Sequence, residues 1–144
     1  MNIRQQMETV CACSCRLNEL YGDWAKQHGM SYNTMMILYA LSQSQGCTQR
    51  QIAQAWMIPK QTVNTVVKEL ERRGDVCFAA GKDRKEKLVC FTAAGRQRAE
   101  ESLGDLYALE DRAMESIGPA LRQALVESNR AFTEACARQV RHER

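Results

Sequence analysis

The sequence lacks any apolar run approaching the roughly 18 residues that cross a bilayer, which excludes a membrane-spanning helix. It has little that resembles a leader. Behind Met1-Asn2-Ile3-Arg4-Gln5-Gln6 the pattern is amphipathic, with no apolar signal core, so a cytoplasmic chain is expected. Nothing repeats, and no composition shift marks a linker or a low-complexity tail. Histidine is scarce. His28 and His142 stand isolated near helix ends and are not spaced against any cysteine, so a thiol enzyme would lack its base. At helix ends such residues suit a solvated or dipole-facing place better than a metal site, and neither metal nor cofactor is expected. The formal net charge is only +3, which neither requires nor excludes nucleic acid; where the charges cluster matters more.

The 144 residues suffice for one domain with a real core. Seven cysteines would suggest a disulfide scaffold in a secreted chain, but in a cytoplasmic one they are expected to be reduced thiols. Ile3, Met7, Val10, Leu17, Leu20, Tyr21 and Trp24 recur at helical spacing, with Cys11 extending the stripe, and predict one long helix ended by Gly29. Ser31 can cap a second helix carrying Met35, Met36, Leu38, Tyr39 and Leu41. That helix should be buried. Gln45-Gly46-Cys47 breaks the chain. Thr48-Gln49-Arg50-Gln51 then has the form of a capping box opening a short helix with Ile52, Ala53 and Trp56 inward.

After the turn Met57-Ile58-Pro59, the valines Val63, Val66 and Val67 and then Leu70 fall at i, i+3, i+4 and i+7, one stripe of a helix that Gly74 stops. At about 100° per residue, Gln61, Thr65, Lys68 and Arg72 point the other way, with Asn64 beside them. Amides and hydroxyls can address base edges while Lys and Arg address phosphates, so this face suits a DNA major groove. A merely solvated polar face would show a similar pattern. The neighbours favour the groove, because two short helices joined by a tight turn, the second with a polar outer face, make a helix-turn-helix.

Beyond Gly74 the period changes. Val76-Cys77-Phe78-Ala79-Ala80 and Lys87-Leu88-Val89-Cys90-Phe91 flank the charged segment Gly81-Lys82-Asp83-Arg84-Lys85-Glu86 and predict a β-hairpin, the wing of a winged helix. Thr92 can cap a long connecting helix over 92–117, with Ala99, Leu103, Leu106, Leu109, Ala113 and Ile117 on its inner stripe. Gly118-Pro119 ends it, and a last helix carries Leu121, Leu125, Ala131, Phe132, Ala135 and Val140. The expected fold is mainly α, of the α+β class: a winged helix-turn-helix core over 31–96 between long terminal helices, all in one domain, 1–144.

At this point the chain resembles the MarR family of bacterial transcriptional regulators, nearly end to end. The residues that carry the resemblance are Thr48-Gln49 with Ile52-Ala53, Lys60-Gln61-Thr62-Val63-Asn64 through Val67-Lys68, Leu70 and Gly74, Asp83-Arg84-Lys85, and Phe91-Thr92-Ala93-Ala94-Gly95-Arg96. No single piece is specific; their order and spacing are. The resemblance implies a homodimer on a palindromic double-stranded DNA site, with residues 1–30 and 118–144 as dimerisation helices, recognition helices in successive major grooves and wings at the flanking minor grooves. It implies a repressor, or less often an activator, whose DNA affinity changes with a small-molecule effector or an oxidant. Carried over by position, Gln61, Asn64, Thr65 and Lys68 are groove contacts. Thr48, Gln49 and Lys60 lie nearer phosphates, and Thr62, Arg72, Lys82, Asp83, Arg84 and Lys85 complete the footprint. The wing departs from the family at two places. Lys85 stands where the family usually has Arg, and Phe91 where it has Leu, with Arg84 next door to supply a guanidinium to a narrow minor groove.

Cys11-Ala12-Cys13-Ser14-Cys15 admits two readings. On one helix Cys11 and Cys15 share a face and Cys13 points nearly opposite, so the three cannot serve one metal. Cys11 and Cys15 suit either small apolar places in a dimer interface or an oxidant-sensing pair, though one turn of rigid helix is poor geometry for a bridge. The peroxide-sensing branch of the family pairs its cysteine with tyrosines. Aligning on Tyr21 and Tyr32 puts Met7, not a cysteine, at that position. Cys47, Cys77, Cys90 and Cys136 read as structural, and Trp24, Met35 and Met36 as core residues that an effector cleft would also use. The competing function is a winged-helix protein-interaction module without DNA binding; that would want an apolar or acidic outer face where Gln61, Asn64, Thr65 and Lys68 stand.

Overall fold

A computed structural model describes residues 1–83 and 85–142. The chain begins with α1 (Ile3–Gln27), opened by Asn2, whose side chain accepts from Gln5 N while Gln5 reaches back, and α1 closes at His28 before Gly29. Ser31 accepts from Thr34 N at 3.0 Å and starts α2 (Tyr32–Ser42), which buries Met35, Ile37, Leu38 and Leu41. Thr48 and Gln51 close the expected capping box, at 3.1 and 2.8 Å, at the head of α3 (Gln49–Trp56). A cap of this kind is worth about 1 kcal/mol. Met57, at φ 52°, turns the chain in the left-handed region, and Ile58 is buried behind it with its N–H on Ala53 O at 3.1 Å.

Pro59 stands one residue ahead of α4 (Lys60–Arg72), at the N-cap rather than inside the first turn. The α4 stripe buries Val63, Val67 and Leu70, while Val66 is half-buried. Each such side chain contributes about 1.5–3 kcal/mol relative to exposure, so this stripe fixes which way the polar face looks. Gly74, at φ 76°, then reverses the chain in a conformation that a side chain would strain.

β1 (Val76–Ala80) pairs antiparallel with β2 (Lys87–Phe91), opposing Val76 to Phe91 and Ala80 to Lys87. A further pairing, without a sequence signature, joins Cys47 to Val89: each N–H donates to the other's carbonyl, at 3.2 and 2.8 Å. Thr92 caps α5 (Ala93–Ser116) as expected, accepting from Gly95 N at 2.9 Å while its hydroxyl donates to Gly74 O at 2.7 Å. α6 (Gly118–His142) follows. The chain forms two compact units, Met1–Leu103 and Gly104–Arg144, the division falling within α5.

Several expected inner positions lie on the surface of this chain. Among the described residues, α1 buries Trp24 and Ala25 alone, leaving Ile3, Val10, Leu17 and Leu20 exposed. Along α5, Ala99, Leu103 and Leu106 are buried, but Leu109 and Ile117 are 42% and 40% exposed, and Ala113 is exposed too. The described part of α6 buries nothing, and Leu121, Leu125, Phe132 and Val140 are open. Helical periodicity identifies an apolar face; it does not say which body covers it. Trp56, expected inward, is half-buried, with its ring edge-on to Tyr39 at 5.5 Å. No helix among the described residues is long and apolar enough to cross a membrane.

Candidate nucleic-acid interface

With Val63, Val67 and Leu70 buried, α4 presents Lys60, Gln61, Thr65, Lys68 and Arg72 to solvent and leaves Thr62 and Asn64 half-buried at the margin. Lys60, Gln61 and Asn64 join Gln49 and Arg50 of α3 around one surface groove of about 340 Å³. Three carboxamides thus share a concave surface with two cations. Arg50 is an addition: within the capping box it looked like a spacer, and only the crossing of α3 over α4 brings it to the groove.

Hydrogen bonding narrows what each group can read. Thr65 Oγ1 donates to Gln61 O at 2.9 Å, so its proton is used within α4 and its lone pairs remain for an incoming donor. Thr48 Oγ1 accepts from Gln51 N, which leaves its own proton available to a phosphate oxygen. Lys60 and Lys68 are exposed and, among the described residues, unpaired. Arg72 differs. Its Nε and Nη2 donate to the Glu69 carboxylate at 2.9 and 2.6 Å, and these bonds pull the Glu69 carboxyl below its ordinary range.

At the wing tip, Gly81 N donates to Glu86 O and Glu86 N to Asp83 O, and Lys82, Asp83 and Lys85 are exposed. Arg84 lies outside the described residues. Phe91, at the family's usual Leu position, has the Arg96 guanidinium 5.5 Å above its ring.

The C-terminal end of α4 is anchored at Asp75, whose N–H donates to Leu70 O at 2.8 Å. This carboxylate is buried, 4% exposed, and takes Arg98 Nε and Nη2 at 2.5 Å on one oxygen and Arg73 Nε at 3.4 Å on the other. Its carbonyl accepts from Thr92 N at 3.0 Å. Sequence reasoning passed over Asp75, which looks like a loop residue between two elements. Beside it lies a cavity of about 150 Å³ lined by His28, Leu38, Leu70, Arg73 and Arg98 among others. Trp24, Met35 and Met36, weighed for an effector cleft, do not line it; Trp24 is buried with the His28 ring stacked on it at 3.8 Å, and Met35 is fully buried.

The thiols are dispersed. Cys11, Cys13 and Cys15 are all exposed on α1, as is Cys136 on α6, and among the described residues no three of His, Cys, Asp and Glu gather as a metal site.

The sequence profile of the MarR family matches residues 28–85, the second helix through the wing tip. The whole chain superposes on a MarR family regulator from Neisseria meningitidis with 26% identity, a TM-score of 0.80 and complete coverage of both chains. Residues 28–85 thus carry the MarR sequence profile, and the chain as a whole shares the fold of a MarR family regulator. Two more distant likenesses speak to the fold alone. A MarR family regulator from Listeria monocytogenes, solved with a 26mer DNA, is 18% identical at a TM-score of 0.70, covering 96% of this chain and 91% of its own. The regulator BldR from Sulfolobus solfataricus is 21% identical at a TM-score of 0.71, covering 93% and 99%. No curated protein sequence matches the chain. In that shared fold, α3 and α4 are the helix-turn-helix and β1–β2 the wing.

Proposed function

We propose that this protein is a sequence-specific DNA-binding regulator of transcription, acting in the cytoplasm as a homodimer on a palindromic operator and mainly as a repressor. The observation that carries the reading is the composition of the α3–α4 groove: Gln49, Gln61 and Asn64 between Arg50 and Lys60. Amides there can pair bidentately with adenine edges while the cations meet flanking phosphates. A protein-docking face of this size would replace those amides with apolar side chains. The DNA-bound Listeria relative supports the assignment through shared fold.

The homodimer is supported by the apolar side chains that α1 and α6 each leave in solvent, Leu17 and Leu20 on one and Leu121, Leu125 and Phe132 on the other. Isolated chains rarely keep such stripes uncovered. We assign control of DNA affinity to a small-molecule effector or an oxidant that biases the placement of α4. No bond-making step in the protein is required for this function.

The test is fluorescence anisotropy of the purified protein on DNA from its own promoter region and on random DNA, across several salt concentrations, with sedimentation to give the oligomeric state. Tight binding over random DNA with a steep salt dependence is the expected result. Binding indifferent to sequence would remove the specific regulator, and a monomer would remove the paired half-sites.

A further inference from the structure

The register of the wing brings together two cysteines that are separated in sequence. Cys77 on β1 stands directly opposite Cys90 on β2. Gly81 N donates to Glu86 O further along the same ladder, and strand alternation from that bond makes Cys77 and Cys90 a hydrogen-bonded pair too. Directly opposed residues of such a pair have Cα atoms about 5.5 Å apart. That is inside the range of about 4.4–6.8 Å that disulfides span, while the Cβ atoms of such a pair, about 5.5 Å apart, must draw together by about 1 Å for the bond to close. Both side chains lie on the same face, opposite to the one that buries Val76 and Val89.

The two thiols differ in access. Cys77 is exposed, whereas Cys90 is half-buried, its sulfur lying over Gly46 so closely that a β-carbon there would stand 2.6 Å away. A third thiol, Cys47, lies across the other edge of β2, its backbone paired with Val89 and its thiol near enough to Cys90 to interact with it electrostatically. Burial raises the Cys47 thiol above its ordinary pKa, which disfavours its thiolate.

We propose that Cys77 and Cys90 are a site of reversible oxidative modification, closing an intramolecular cross-strand disulfide on exchange with a low-molecular-weight disulfide. The Cys77 thiolate, having lost its proton to solvent, attacks one sulfur of the small disulfide and releases one small thiol. The deprotonated Cys90 sulfur then attacks Cys77 in the mixed disulfide and expels the second small thiol. Two protein thiols are oxidised to one disulfide, and one small disulfide is reduced to two thiols. The link ties the wing strands at mid-length in their existing register. It stands apart from the DNA-binding reading.

The experiment treats the reduced full-length protein with oxidised glutathione, blocks remaining thiols with iodoacetamide, and digests with trypsin. Lysine and arginine between the strands place Cys77 in a peptide of residues 74–82 and Cys90 in one of residues 88–96. The expected product is these two peptides joined, about 2 Da lighter than their sum, from a protein that runs as a monomer on a non-reducing gel. The joined species is expected to vanish in C77S and on treatment with a thiol reductant. C77S replaces an exposed side chain, so its fold is not at stake. Both peptides recovered alkylated or singly glutathionylated overturn the proposal. So does Cys90 joined to the Cys47 peptide, residues 27–50, or a covalent dimer linked through Cys77.

Discussion

Arg72 is clasped by Glu69, one turn back along α4, through two hydrogen bonds of 2.9 and 2.6 Å. The pairing sets a carboxylate in competition with any phosphate for the same guanidinium. Glu69→Gln is therefore expected to raise affinity for DNA a few-fold and to steepen its salt dependence by about one phosphate contact. Unchanged affinity in anisotropy titrations would take Arg72 out of the footprint.

The same pair gives a pH signature. The hydrogen bond from Arg72 holds the Glu69 carboxyl below its ordinary value, so what the pair contributes to the fold is present above the unfolded carboxyl pKa and is lost as pH falls through the lowered one. A carboxyl-carbon NMR titration is expected to show Glu69 as a low titrator, and Arg72→Ala to return it to the ordinary glutamate range. An unmoved midpoint in that variant would contradict the cause.

Gly95 is the tightest glycine among the described residues, since a β-carbon there would fall on the Asp75 carbonyl. Backbone must move to accept even one methyl. Gly95→Ala is expected to cost about 1–3 kcal/mol or more, the scale of overpacking in a rigid site, read as a lowered midpoint in urea unfolding. Gly104→Ala, with nothing within 4 Å of the added carbon, is the control and should keep the parent midpoint or exceed it.

Within the groove, Gln61 and Lys68 should fail differently. Gln61→Ala is expected to cost about 1–3 kcal/mol on the preferred sequence and much less on random DNA. Lys68→Ala should weaken both alike and lower the salt slope by about one unit. If Gln61→Ala lowered both affinities equally, Gln61 would be a positioning contact.

Cys47 and Cys77 should separate in a thiol-reactivity assay. Burial raises the Cys47 thiol and Cys77 is exposed, so iodoacetamide near pH 8 is expected to label Cys77 first, with Cys47 catching up as pH rises. Equal rates across that range would remove burial as the cause.

Much of this molecule is written in local signals. Thr48 and Gln51 announce the capping box, the valine stripe orients α4, and β-branched residues around a charged turn give both wing strands their limits. Other features depend on neighbours distant in sequence. One residue, Cys47, pairing with Val89 makes no periodic pattern. Asp75 becomes a buried anchor only because Arg98, far along the chain, meets it, and Arg50 reaches the groove through the crossing of two helices. The stripes on α1 and α6 were legible as apolar faces, and the chain itself does not cover them.

The Cys47–Val89 bridge gives the wing a mechanical role. Two backbone hydrogen bonds spline β2 to the residue just before the α3 cap, so the hairpin and the head of α3 are joined main chain to main chain and not only through the intervening elements.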